Sequence, residues 1–146
     1  MVLDTEIYLD AVCRMIGEGQ ENVPVPIKGD SMRPFLRNGD FACLTALPAA
    51  VRRGDILLFR RKNGQYVLHR VYKIGKQEVF WMLGDGQLVP EPVEAGQLRA
   101  KVAIVRCGGE NCGPGTFRWW FFARPWLYLA PWRPRIARLL ALFRRK

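Results

Sequence analysis

From Val23 to Arg106 the chain is cut into short apolar runs by turn signals, and this punctuation constrains the fold more than any other feature. Phe41 to Leu47, Asp55 to Arg61, Gln65 to Ile74, Glu78 to Leu83 and Leu98 to Arg106 read as strands, with Asn63-Gly64 closing a hairpin between the second and third. Val23-Pro24-Val25-Pro26-Ile27-Lys28 is a proline-edged extended run ahead of them. Strands this short and evenly spaced predict a mainly β fold built on a closed or rolled antiparallel sheet. A length of 146 residues suits one core, and 49% hydrophobic with 25% charged content is that of a folded chain. The expected plan is an N-terminal helix in 1–22, a β body in 23–110 and a tail in 111–146.

Asp4 is placed to cap a helix running to about Ile16, with Glu6 in its first turn and Gly17 and Gly19 as the stop. Leu3, Ile7, Val12, Met15 and Ile16 recur near helical spacing and predict an amphipathic helix lying on the body. Asp4, Glu6, Asp10 and Arg14 interrupt it, so it does not read as a membrane anchor or a secretory leader.

The chemistry centres on Gly29-Asp30-Ser31-Met32-Arg33-Pro34, a turn between the extended run and the strand at Phe41. It sets the Ser31 hydroxyl at a strand end, although Gly, Asp and Ser are also ordinary turn residues. Downstream come Gly54-Asp55-Ile56-Leu57-Leu58-Phe59, and then Tyr66-Val67-Leu68-His69-Arg70-Val71, which carries the single histidine. A serine in G-D-S-M-x-P, then G-D-I-x-x-F, then a base followed by Arg-Val resembles the signal peptidase I and LexA-type serine peptidases, the S24/S26 group. The resemblance spans roughly residues 23 to 106, and three ordered blocks are far more specific than any one alone. It implies a LexA/signal-peptidase-like rolled antiparallel sheet and a serine endopeptidase acting on a precursor protein or peptide, without cofactor or metal.

A serine hydroxyl is a poor nucleophile at neutral pH, so it needs a base within reach and donors for the developing oxyanion. The resemblance puts that base at His69, where most relatives carry lysine and the endoplasmic-reticulum type carries histidine. Imidazole is a free base at pH 7 without added desolvation, which predicts an acid limb of activity near its ordinary pKa of about 6.5. Asp85 is the expected partner of His69, because Gly84-Asp85-Gly86-Gln87 resembles the family's G-D-N box, with Glu91 as the alternative. Gly29 stands where signal peptidases commonly have a serine for the oxyanion, which leaves the Ser31 N–H to do that work. Met32 and Pro34 are expected to shape the turn and cleft. Asp30, Asp40 and Asp55 read as turn structure.

Two other readings share the scaffold. One is a non-catalytic module for peptide binding or membrane interaction. The other is a self-cleaving LexA-type protein, cut between Cys107 and Gly108. Cys13, Cys43, Cys107 and Cys112 form no CxxC pair and are expected to stay reduced, with Cys13 and Cys43 as small core residues.

Of the net charge of +10, eight positives follow Glu110 with no acid among them, so the body is nearly neutral and the tail strongly basic. Trp119, Trp120, Trp126 and Trp132 fall there too, with Phe121, Phe122 and Tyr128. Interleaved Trp, Tyr and Arg suit a membrane interface, while Arg124, Pro125 and Pro131 argue against a spanning helix. Pro134 starts a helix whose Ile136, Leu139, Leu140 and Phe143 share one face. Residues 117–146 are therefore expected to rest on an anionic membrane, with the body peripheral on the cytoplasmic side and no nucleic acid bound. The competing expectation is that these aromatics simply cover the core.

Overall fold

The longest strand, Leu98–Cys107, lies inside the sheet although only one two-residue strand follows it in the chain. The computed structural model describes residues 5–144. Among these are eight strands: β1 (Val23–Pro26), β2 (Phe41–Thr45), β3 (Ile56–Arg60), β4 (Tyr66–Ile74), β5 (Val79–Leu83), β6 (Glu91–Glu94), β7 (Leu98–Cys107) and β8 (Glu110–Asn111). All pairings are antiparallel, in the order β1-β2-β7-β3-β4-β5-β6, with β8 folded back on β7. The first half of β7 pairs with β3 and the second half with β2. Its register slips at Arg99 and at Ala103, and such bulges bend a sheet and increase its twist. The mainly β, helix-flanked fold expected from the sequence is the fold observed.

Bending gives the sheet two cores. Alternate residues of β3 serve both: Ile56 and Leu58 join Leu36, Leu44 and Val105 on one side, and Leu57 and Phe59 join Val71, Met82 and Val93 on the other. A strand buried on both faces reads as a continuous apolar run, which is what Ile56-Leu57-Leu58-Phe59 is.

Helix α1 (Thr5–Gly17) lies on the first core through Val12 and Ile16, with Leu9, Cys13 and Met15 partly covered. Asp4 and Leu3 of the expected cap and face lie outside the described residues. Ile7 is two-thirds exposed rather than inward. At about 100° per residue it falls about half a turn away from Ile16.

The tail forms α2 (Phe117–Ala123), α3 (Pro125–Tyr128), a 3₁₀ turn at Ala130–Trp132, and α4 (Arg133–Arg144). Thr116 caps α2 by accepting from the Trp119 N–H, and Pro125 opens α3 where a missing N–H does no harm. Phe122, Leu127 and Ala130 are buried, and Trp119, Phe121 and Trp126 pack against the first core. Covering the core is thus part of what the tail aromatics do.

The cysteines depart from expectation. Gly108 and Gly109 turn the chain at positive φ between β7 and β8, which brings the Cα atoms of Cys107 and Cys112 to 5.9 Å, and the two are joined by a disulfide. Cys13 and Cys43 are free and partly buried.

Candidate active site

The Ser31 turn is fixed from below and from behind. Met32, Phe35 and Leu36 are buried in the first core, and the Leu36 N–H donates to the Met32 carbonyl at 2.9 Å. Gly29, at φ 87°, begins the turn, and its N–H is received by the Asn38 side chain at 2.8 Å. Asp40 accepts from the Arg37 N–H at 2.9 Å and from the Gly108 N–H at 3.1 Å, the structural part expected of it. Ser31 is left partly exposed, and among the described residues its own N–H donates to no protein group. Pro34 sits on the exposed outside of the turn and does not line the cleft as expected, because the turn curls to send Phe35 and Leu36 inward instead.

Behind the turn runs Gly84-Asp85-Gly86. The Gly86 N–H donates to the Ser31 carbonyl at 2.9 Å. A Cβ on Gly84 would come within 2.3 Å of that carbonyl oxygen, and one on Gly86 within 2.6 Å of the Arg33 carbonyl oxygen. Side chains at either position would push the Ser31 turn away, which explains glycine in both places.

Asp85 does not orient His69. Its carboxylate receives both Arg70 Nε and Nη2 at 3.0 Å in a fully buried fork, while Arg70 Nη1 donates to the Gly54 carbonyl at 2.8 Å. The Arg70 guanidinium also lies over the rings of Phe35 and Trp119. Two adjacent residues of β4 thereby take different work: His69 faces the cleft, and Arg70 ties the blocks around Gly54, Asp85 and Phe35 into one support.

The carboxylate beside His69 is Glu91 on β6, with Oε1 3.8 Å from Nδ1. This is too long for a hydrogen bond, and the buried Nδ1 has no hydrogen-bond partner among the described residues. Glu91 is held instead by Arg61, whose Nη2 and Nε reach its two oxygens at 2.6 and 3.1 Å. His69 is 1% exposed, and burial pushes its pKa from 6.5 down to about 4, with Glu91 opposing and Arg61 assisting that shift. The ordinary pKa on which the sequence-based acid limb rested is therefore not the one His69 has in this fold. Desolvation penalises the imidazolium more than a half-shared carboxylate rescues it.

Ser31, Met32 and His69 line one cleft of about 610 Å³, without a hydrogen bond joining hydroxyl to imidazole. Catalytic hydrogen bonds are often loose before substrate arrives. Residues that the sequence reading did not single out complete the walls: Thr5, Tyr8 and Leu9 of α1, Arg61, Gln65 and Tyr66 around the hairpin, and Gln87. The Tyr66 hydroxyl donates to Asp10, which anchors α1 at the cleft's edge. Its aromatic next to an acid on a distant helix left no pattern to read.

The tail also reaches this site. Trp126 Nε1 donates to the Asp85 carbonyl at 2.7 Å, Arg133 Nη1 to the carbonyls of Gly84 and Gln87 at 3.1 Å, and Arg118 to those of Pro34 and Phe35. The loops on both sides of Ser31 are clasped by residues outside the β body.

A family model described as "Peptidase S24-like" matches residues 2–103, which takes in α1, the Ser31 turn, the hairpin and most of β7. A search of curated proteins finds no match.

Proposed function

Because the chain belongs to the Peptidase S24-like family, we propose that it is a serine endopeptidase in which Ser31 attacks a peptide carbonyl and His69 takes the hydroxyl proton. The observation that carries this is the meeting of Ser31 with a buried, neutral His69 in one cleft of the family's fold. With Nδ1 turned toward Glu91, Nε2 is left to accept the proton from Oγ and to return it to the leaving amine. The Ser31 N–H donates to the oxyanion. Met32 and the apolar side chains around it exclude water from the reacting bond.

Two open backbone edges support an extended segment of a precursor protein or peptide as substrate. β5 pairs with β4 only from Arg70 onward, so the outer edge of Tyr66 to His69 is unpaired. On the other side, β1 turns the N–H of Ile27, and by alternation those of Val23 and Val25, toward β2. Its outer edge then carries prolines 24 and 26, which offer carbonyls and no N–H, the Pro24 carbonyl also accepting from the Tyr8 hydroxyl at 3.4 Å. A peptide laid between them has acceptors on one side and strand geometry on the other.

Ser31→Ala and His69→Ala are each expected to keep the fold and to lower turnover of a cleavable precursor by roughly 10³ or more. Unchanged cleavage by either variant rejects the mechanism; precursor binding by the wild type without cleavage points to a non-catalytic module. Self-cleavage at Cys107-Gly108 finds no support in the geometry. That hairpin is closed by the disulfide, its Gly108 N–H is held by Asp40, and none of its residues lines the cleft.

A further inference from the structure

Helix α4 begins on a buried anchor, Arg133, and then leaves the body. Leu139, Leu140, Leu142 and Phe143 are 56, 53, 63 and 69% exposed, and Arg135, Arg138 and Arg144 flank them. A twelve-residue helix is marginal on its own in water, and four large apolar side chains facing solvent add nothing to hold it. It needs a surface. The same segment exposes Phe117, Trp120, Tyr128 and Trp132. Beside Phe117 and Trp120 lies a second cavity of about 540 Å³ with Arg52, Arg53 and Arg124 in its wall, together with Asp55. Asp55 is already engaged, by the Arg52 N–H at 2.9 Å and by Lys101 at 3.6 Å.

We propose that α4 and the exposed aromatics of α2 and the 3₁₀ turn form an interfacial docking site for an anionic lipid bilayer. The leucines and Phe143 enter the acyl boundary, the indoles rest at headgroup depth, and the arginines meet lipid phosphates. Two features select this occupant. Not one acid occurs from Asn111 to Lys146, so the same segment of a second copy would bring like charge against like. A nucleic acid would satisfy the arginines and leave the apolar side chains in water. No helix among the described residues is long and apolar enough to cross a membrane, so α4 lies on the surface rather than through it.

The full chain is tested by co-sedimentation with vesicles of phosphatidylcholine containing about one-third phosphatidylglycerol, against phosphatidylcholine alone and a single-stranded oligonucleotide. The expected result is binding to the anionic vesicles that weakens as salt rises. Leu139→Ser with Phe143→Ser should lower the partition constant roughly 10²-fold, and Arg138→Gln with Arg144→Gln about fivefold per residue. These side chains face solvent, so the thermal midpoint of each variant should match the wild type. Equal binding to neutral vesicles, or variants that bind as the wild type does, overturns the proposal. So does oligonucleotide binding without vesicle binding, or a dimer in sedimentation that Leu139→Ser with Phe143→Ser dissolves while no vesicle is bound.

Discussion

Asp85 lies in the short connection between β5 and β6, Glu91 opens β6, and the two acids have different surroundings. Asp85 is fully buried, and Arg70 takes both of its oxygens. Glu91 is about one-third exposed; Arg61 reaches both of its oxygens, at 2.6 and 3.1 Å, and the nearer of these also lies 3.8 Å from His69. Both acids accept a two-point fork from an arginine, so what separates them is burial and the histidine beside Glu91. The G-D-N resemblance points to the acid that pairs with Arg70, and the acid nearest His69 lies beyond it.

The largest expected effect breaks the structural half of this comparison. Asp85→Asn removes the charge that compensates a fully buried Arg70, and losing one partner of such a pair destabilises by roughly 3 to 5 kcal/mol. Denaturant unfolding should show this as a fall in midpoint. Replacing both, with Arg70→Met and Asp85→Leu, should be milder because no charge is stranded. An Asp85→Asn protein as stable as the wild type would show that the fork supports nothing.

The next effect separates the two acids through the histidine between them. Because the folded state holds the His69 pKa at about 4 against 6.5 when unfolded, the unfolded chain binds more protons in that window, and stability rises with pH across it. The contribution is fully present above about pH 6.5, is lost progressively as pH falls toward 4, and amounts to roughly 3 kcal/mol. Unfolding free energies of wild type and His69→Gln, measured from pH 7 to pH 4, should converge as pH falls. A constant difference would mean that His69 is not held neutral by burial.

How far the sequence reaches is itself uneven. That Ser31 and His69 line one cleft was legible because block order carried them to one fold, and β2 to β5 were legible because apolar runs with turn chemistry at their ends leave few alternatives. β6 was not: Glu91-Pro92-Val93-Glu94 buries only Val93, and one apolar residue among acids and a proline makes no period. The clasp of Trp126 and Arg133 on the site was hidden for a different reason. Their acceptors are the carbonyls of Asp85, Gly84 and Gln87, and a backbone carbonyl leaves no mark in a sequence. The glycine-rich loop from Cys107 to Cys112 lets two thiols meet but does not require it, and only the folded hairpin shows that they are joined.

The smallest effect sharpens the catalytic half. If Glu91 orients His69, Glu91→Gln should lower turnover by roughly tenfold, well short of the ~10⁴ that follows loss of an acid fully hydrogen-bonded to its histidine, because 3.8 Å is contact without a hydrogen bond. Loss of rate alone could come from a disturbed hairpin, so the pH profile supplies the discriminating measurement. The Glu91 charge favours the imidazolium and the Arg61 charge disfavours it. Removing Glu91 should carry the acid limb of kcat/KM below about 4, while Arg61→Gln, which frees Glu91 to close on Nδ1, should carry it upward. Opposite displacements from two residues that bind each other cannot arise from a shared loss of packing. Limbs that stay together in both variants would leave Glu91 as no more than the counter-ion of Arg61, and His69 working without a partner.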